Sequence, residues 1–295
     1  MTRLRSFCGC LLAVTLVTTA LPVDVHAQRR GSSKELGYQL GTMWYVGDLN
    51  PNNLLRSVSH SAQGVYYRYN VNPRVSLRAQ YVQGSVEVFD ANHPNAHQQR
   101  RDLGFFNLVN EVSFTTEVNF RDHVVGNPKR RLVPFLSAGL AVFGHDPKGI
   151  KSNGIQKPLR EIGTEGQGWF PGIGRYKNWG AALPFGLGWK GTLGSTMTFQ
   201  IEWGARKLWT DYLDDVSGVY VIHDPDTPTD SEPSLDLEEF QGDPPYIQGS
   251  ATDSGDGDIE EVYQRGDPGR NDRYGFFLVS LGFRVSKKAT TCWEQ

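Results

Sequence analysis

Cysteine is scarce in this chain, which has three among its 295 residues: Cys8, Cys10 and Cys292. The first two fall inside the N-terminal stretch Met1–Ala27. Removal of that stretch would leave Cys292 alone, and one cysteine excludes an intramolecular disulfide framework and a cysteine-based zinc cluster. Two hypotheses stay open for Cys292: a reduced thiol in the polar tail, residues 287–295, and a disulfide with another protein.

The N-terminal stretch has the three parts of a secretory signal peptide. A basic start with Arg3 and Arg5 precedes the apolar stretch Phe7–Leu21 and a small-residue end at Ala27. The apolar part is shorter than the roughly 18 residues that a membrane-spanning helix needs. We predict cleavage of the signal and a single mature domain, residues 28–295. No later segment is long and apolar enough for such a helix, so the candidates are an exported soluble protein and a membrane β-barrel.

The chain also lacks a surplus of either charge, since 30 Lys and Arg stand against 32 Asp and Glu, for a net charge of −2. The basic residues are scattered, which argues against a nucleic-acid-binding function. The acids are concentrated: Asp224–Asp272 holds fifteen Asp or Glu and two Arg, a net charge of −13 that leaves +11 on the rest of the chain. Such a Pro-, Gly- and Ser-rich acidic segment cannot bury enough apolar surface to fold. We predict a mobile outer loop over residues 224–272.

What the chain does have is alternation of apolar and polar residues with a period of two. The stretch Phe199–Tyr220 shows it best, because bulky apolar residues alternate there with glycine and charged residues. Alternation predicts a β-strand with two different faces. Large aromatics on one face and glycines beside opposite charges on the other are typical of a transmembrane strand. A soluble β-sandwich or lipocalin-like barrel is the alternative, with an apolar inner face and a polar outer face.

The same alternation recurs and predicts about eight strands, each near the roughly ten residues that a bilayer requires. Short turns alternate with long loops, so the predicted fold is an all-β, closed antiparallel transmembrane β-barrel with short periplasmic turns and long outer loops. Besides the strand that begins Phe199–Tyr220, the predicted strands are Glu35–Val46, Ala62–Val71, Val75–Val82, Leu103–Phe120, Leu132–Phe143, Ala181–Lys190 and Tyr274–Val285.

Several charged residues fall on the predicted inner face. An eight-stranded barrel is only wide enough to be filled by its own side chains, and an unpaired buried charge is very costly. We therefore predict a packed polar interior and no open pore. The predicted interior charge network consists of Arg68, Arg78, Glu111, Glu117, Lys190, Glu202, Arg206 and Arg284.

Four segments of the chain resemble the PorG-type outer-membrane β-barrel family of Bacteroidota: Glu35–Pro51, Tyr67–Tyr81, Gly163–Gly168 and Thr210–Tyr220. The resemblance covers nearly the whole mature chain. It implies an eight-stranded outer-membrane barrel associated with the periplasmic lipoprotein ring of a type IX protein secretion or gliding machinery. The residues of the two loop motifs that carry it, and that are candidate interaction residues, are Gly163, Thr164, Glu165, Gly166, Gln167, Gly168, Asp211, Tyr212, Leu213, Asp214, Asp215, Val216 and Ser217.

Each acidic or glycine-rich motif has a competing interpretation. Asp211, Asp214 and Asp215 could hold a cation or a partner, but carboxylates that cap a loop by accepting backbone N–H groups are favoured. Gly163–Gly168 lacks the Lys-Ser/Thr pair and the βα context of a phosphate-binding loop. We predict instead a conformational element in which Glu165 reaches the backbone or an arginine.

Calcium binding by the stretch Asp253–Glu261 is likewise not favoured. An EF-hand loop that starts at Asp256 would need glycine where this chain has Glu261. Solvated acids remain the favoured interpretation, and we predict no metal ion and no cofactor.

The sequence does not predict an enzyme. His60-Ser61, with Asp211 elsewhere, is the one arrangement that hints at Ser/His/Asp hydrolysis, and adjacency in sequence does not establish a triad. A small lipid-modifying hydrolase and a narrow porin remain the alternatives to a non-enzymatic anchor surrounded by outer-membrane lipid. For an anchor, we expect partner contacts in the basic periplasmic turns, at Arg74, Lys129, Arg130 and Arg131.

Overall fold

The protein is described by a computed structural model over residues 32–50, 60–89, 104–127, 132–150, 156–168, 173–218 and 265–285. The hypotheses on the signal peptide, on Lys129–Arg131, on Asp253–Glu261 and on Cys292 lie outside these residues.

Within the described residues, eight long antiparallel strands close into a barrel. The order around the barrel is β1-β2-β3-β4-β5-β8-β9-β10, and pairing of β1 with β10, for example Leu40 with Val279, completes the ring. The long strands are β1 (Ser33–Val46), β2 (His60–Asn70), β3 (Val75–Phe89), β4 (Gly104–Asn119), β5 (Leu132–Gly144), β8 (Trp179–Leu193), β9 (Met197–Leu208) and β10 (Arg273–Arg284). The predicted fold class is confirmed.

A small structured segment interrupts the long connection between β5 and β8. It contains the short strands β6 (Lys148–Ile150) and β7 (Gln156–Pro158), which pair with each other, and the one-turn helix α1 (Leu159–Ile162). β6 also pairs with β4 at Phe105 and Phe106, so this segment is attached to the barrel wall.

The barrel is apolar outside and charged inside, the reverse of a soluble protein. On the outside, Phe114 and Leu140 are each 66% exposed, and every long strand contributes large apolar side chains to the same belt. On the inside, Arg68 and Glu117 are completely buried. A continuous apolar belt around a closed barrel is stable against lipid hydrocarbon, because all backbone groups of the strands are paired within the ring. The fold is that of an outer-membrane β-barrel.

The barrel interior has two layers, and this corrects the prediction of a polar interior throughout. Near the short turns the inward side chains are polar and charged. Near the long loops they are apolar, as at Met43, Phe105 and Phe276, and loop residues such as Leu213 and Val216 pack on top of them. The physical reason is that the loops close this end of the barrel, so inward side chains there meet other apolar side chains instead of charges.

Candidate functional site

The charged layer is organised around Glu117 of β4. Its carboxylate lies 3.0 Å from Arg68 Nε, 3.0 Å from Arg78 Nη1 and 2.6 Å from Lys190 Nζ. Glu202 accepts two hydrogen bonds, of 2.6 and 2.8 Å, from Nη1 and Nη2 of Arg78. Each cation comes from a different strand, so this one layer links β2, β3, β4, β8 and β9.

A second pair lies above this group, toward the long loops. Arg206 donates two hydrogen bonds to Glu111, of 2.8 and 2.9 Å, and Tyr274 donates a third of 2.8 Å to the same carboxylate. Bidentate pairs of this kind are the strongest form of carboxylate–arginine contact. The structure thus places seven of the eight predicted interior residues in paired, buried positions.

Two residues change the predicted network. Arg284 does not belong to it, because its guanidinium donates to the backbone carbonyls of Val125 and Ser195 at the short-turn end. Glu35 does belong to it, since it is fully buried and lies 3.4 Å from Arg68. With Glu35 included and Arg284 removed, four cations face four carboxylates. The layer is therefore neutral, as burial requires.

At the opposite end, the two loop motifs fold against each other inside the mouth of the barrel; we call residues 164–168, 213–218 and 265–266 the plug. Glu165 accepts hydrogen bonds from the backbone N–H groups of Ser217 and Gly218, at 2.8 and 3.0 Å. Thr164 donates to the carboxylate of Asp215. Glu165 therefore contacts both the backbone and, as described next, an arginine.

Arg265 ties the plug together and corrects the predicted extent of the mobile acidic loop. Its guanidinium lies 3.1 Å from Glu165 and 3.1 Å from the Thr164 hydroxyl, and it donates to the backbone carbonyl of Asp215. Arg265 and Asp272 are both buried, so the segment is not solvated throughout: these two positions pack into this end of the barrel, and residues 267–271 between them are exposed. The prediction was wrong at these two positions because it used the average composition of the segment. That average does not show that one arginine, Arg265, has buried carboxylate partners.

Backbone conformation explains the glycines of the first motif and one unusual residue of the second. Gly163, Gly166 and Gly168 have positive φ angles of 71°, 82° and 82°, which only glycine adopts at little cost. Asp215 has a φ of 67°, and it is the one non-glycine residue with positive φ in the described part of the chain. Its carboxylate is held by Thr164 and by the Tyr176 hydroxyl at 2.6 Å, so the plug contacts maintain this conformation.

Three buried carboxyl groups, one in the plug (Asp214) and two beside it in sequence (Asp211 and Asp272), have no adjacent cation in the described structure. Tyr45 donates to Asp214, and its hydroxyl oxygen is also 3.2 Å from Asp272. Burial raises the pKa of Asp214 to about 8, and burial together with the charge of Asp214 raises the pKa of Asp272 well above its usual range. Burial also raises the pKa of Asp211 to about 7. Burial therefore favours the protonated forms of Asp214 and Asp272 at neutral pH.

The carboxylates of the second motif have divided roles. Asp214 accepts the Val216 N–H at 3.0 Å, which is the loop-capping contact expected from the sequence. Asp272, which lies outside this motif, accepts the Leu213 N–H at 2.8 Å. Asp215 instead contacts side chains of the other motif. Tyr212 stacks on Tyr176 with ring centroids 4.6 Å apart, and Tyr176 stacks in turn on His145.

The docking of the plug should depend on pH, because the buried acids lose protons when they meet water. In the docked state the pKa of Asp214 is about 8, whereas an exposed Asp carboxyl titrates near pH 4. Docking stability is therefore greatest at low pH and falls as pH rises toward 8. Release of one proton, from Asp214, makes the opening equilibrium rise about tenfold per pH unit between about pH 5 and pH 8, and release of a second, from Asp272, makes the rise steeper.

Hydrogen exchange of the Leu213 and Val216 amides, corrected for the intrinsic rate at each pH, measures this opening. Asp272→Asn is the matched control, since its amide can accept from Leu213 and donate to the Tyr45 oxygen, as a protonated carboxyl does. The variant should show a shallower pH dependence. Equal slopes in the two proteins would exclude a role for Asp272.

The structure separates the residues of the hydrolase hypothesis. His60 lies 2.8 Å from Glu87, and Ser61 is exposed on the outward face of β2. Asp211 is buried in the mouth of the barrel. In the part of the chain that the structure describes, no group of three or more His, Cys, Asp or Glu side chains is arranged to hold a metal ion.

At the short-turn end, Arg74, one of the predicted partner contacts, is exposed. Its side chain is 55% exposed, forms an ion pair with Asp122 and donates to the Phe120 carbonyl at 2.7 Å. The other three predicted contact residues, Lys129–Arg131, lie outside the described residues. None of the helices among the described residues has the length and apolar character needed to span a bilayer.

Residues 13–162 of the chain, just over half of it, match the family described as a domain of unknown function (DUF6089). No curated protein is similar to the chain in sequence. Among solved structures, Neisserial surface protein A is 8% identical with a TM-score of 0.42, over 87% of this chain and 100% of its own. Ail of Yersinia pestis is 7% identical with a TM-score of 0.40, over 86% and 99%. The N-terminal β-barrel domain of Pseudomonas aeruginosa OprF is 13% identical with a TM-score of 0.35, over 86% and 100%.

Proposed function

Because the chain belongs to the DUF6089 family, whose description assigns no function, we propose a role from the geometry of the barrel and from the PorG-type resemblance of its motifs. The protein is a non-enzymatic component of the outer membrane. After removal of its signal peptide it serves as an anchor or structural element for a type IX secretion or gliding machinery, and it contacts that machinery's periplasmic lipoprotein ring through its short turns.

One observation carries the proposal: among the described residues, buried side chains occupy both halves of the barrel interior. The neutral charged layer around Glu117 occupies the half near the short turns, and the apolar layer with its plug occupies the other half. A filled barrel held by buried ion pairs suits a rigid anchor better than a conducting pore. The separation of His60, Ser61 and Asp211 likewise favours a structural role over hydrolysis.

Affinity purification of the tagged protein from outer membranes in mild detergent tests the proposal. We expect periplasmic ring proteins in constant ratio to the barrel, and loss of most of that recovery in a variant with charge reversal at Arg74 and Lys129–Arg131. Charge reversal at Arg175 and Lys177, two exposed cations at the other end, is the matched control and should leave recovery unchanged. A barrel recovered alone, or equal losses in both variants, would count against the anchor.

A further inference from the structure

Two cations lie side by side on the outer wall of the barrel, near the long loops. Lys207 of β9 and Arg273 of β10 are paired directly across the two strands, and both side chains are exposed. Like charges directly opposite on one face of a sheet destabilise the pair. Among the described residues neither side chain has a carboxylate partner. An external anion bound to both cations would relieve this repulsion.

The two cations lie at the edge of the lipid-facing belt. Along β9 the outward positions are Ile201, Trp203, Ala205 and Lys207, and the exposed Trp209 follows. The side chains on one side of Lys207 are therefore lipid-facing, and a tryptophan of the kind found at membrane–water interfaces lies on the other. This places the cations at the depth of lipid headgroups.

A pair of tryptophans lies next to them on the side of the apolar belt: Trp203 is exposed, and Trp44 is buried. Trp44 stacks on Trp203 with ring centroids 5.7 Å apart and an interplanar angle of 7°. Trp44 lies over Gly275, where an added Cβ would come within 2.1 Å of the indole ring. Gly275 pairs with Ala205, so only the smallest side chains lie between the cations and the two indoles.

We propose that Lys207 and Arg273 bind the anionic headgroup of a lipid whose apolar part lies against the exposed Trp203. Arginine donates in a fork that matches phosphate oxygens, and lysine adds a second positive charge. The site opens sideways toward the bilayer, at the depth of the headgroups, and this identifies the ligand as a lipid of the surrounding leaflet. Charge complementarity and depth in the membrane together support this occupant.

Native mass spectrometry of the purified barrel in detergent, with phosphatidylglycerol or phosphatidylcholine added, measures the preference. Both lipids carry a phosphate, but only the first has a net negative charge. We expect the wild-type protein to retain phosphatidylglycerol preferentially. The double variant Lys207→Gln/Arg273→Gln should bind it about 30-fold more weakly, and each single variant about fivefold more weakly.

The matched control is Arg175→Gln/Lys177→Gln, which removes one arginine and one lysine from exposed positions at the same end of the barrel. It should retain the wild-type preference. No preference in the wild-type protein, or equal losses in the two double variants, would overturn the proposal. Displacement of the lipid by inorganic phosphate would also overturn it, because the site would then take a free anion. Heat-dependent gel mobility verifies that each variant is folded.

Discussion

The variant Glu117→Gln should be among the least stable single substitutions in this barrel. Glu117 contacts Arg68, Arg78 and Lys190 within 2.6–3.0 Å, and all four side chains are buried. Loss of its charge leaves three cations with an excess of positive charge in an interior that water does not reach. Breaking a buried ion pair by removing one partner costs about 3–5 kcal/mol, and we expect a loss of that order. Urea unfolding in detergent, followed by tryptophan fluorescence, measures it.

Two further variants separate loss of this charge balance from general damage. Glu117→Gln/Lys190→Gln also removes one cation and should recover part of the lost stability. Glu87→Gln removes a partly exposed carboxylate that pairs with His60, and it should cost less than about 1 kcal/mol. If Glu117→Gln were as stable as Glu87→Gln, the charged layer would not be what stabilises the barrel.

Replacing Arg265 with methionine should release the plug and leave the barrel intact. Arg265 contacts the Thr164 hydroxyl, the Glu165 carboxylate and the Asp215 carbonyl, which belong to both loop motifs. Methionine keeps most of the side-chain length but leaves the buried Glu165 carboxylate without its cation. We expect plug docking to weaken by about 3–5 kcal/mol.

Limited proteolysis and hydrogen exchange of residues 213–218 report plug opening, whereas unfolding in urea reports the barrel. Arg270→Met is the control, because Arg270 is an exposed residue of the same segment. We expect faster exchange at Leu213 and Val216 in Arg265→Met alone, with the unfolding of the barrel unchanged in both. Simultaneous loss of plug and barrel would mean that they form one cooperative unit.

The alternation of apolar and polar residues was enough to predict the strands and to predict which charged side chains point into the barrel. In a β-strand successive side chains point to opposite faces, so the pattern from Met197 to Arg206 assigns Glu202 and Arg206 to one face without knowledge of any neighbour. The same periodicity failed at Arg284. A period of two gives the face of a residue but not its depth, and Arg284 lies at the end of β10 beside the turn carbonyls.

The pairing of these charges and the plug were decided only by the tertiary structure. Glu117 and Lys190 are 73 residues apart, and Glu165 and Ser217 are 52 apart. Closure of the barrel brings such residues together, because the β5–β8 and β9–β10 connections leave the ring at the same mouth. The acidic composition of residues 224–272 predicted that Arg265 lies in a mobile loop. Its contact with Glu165 shows that it belongs to the plug. Sequence determined which residues face inward; closure of the ring determined which of them meet, since that depends on strand register and not on local pattern.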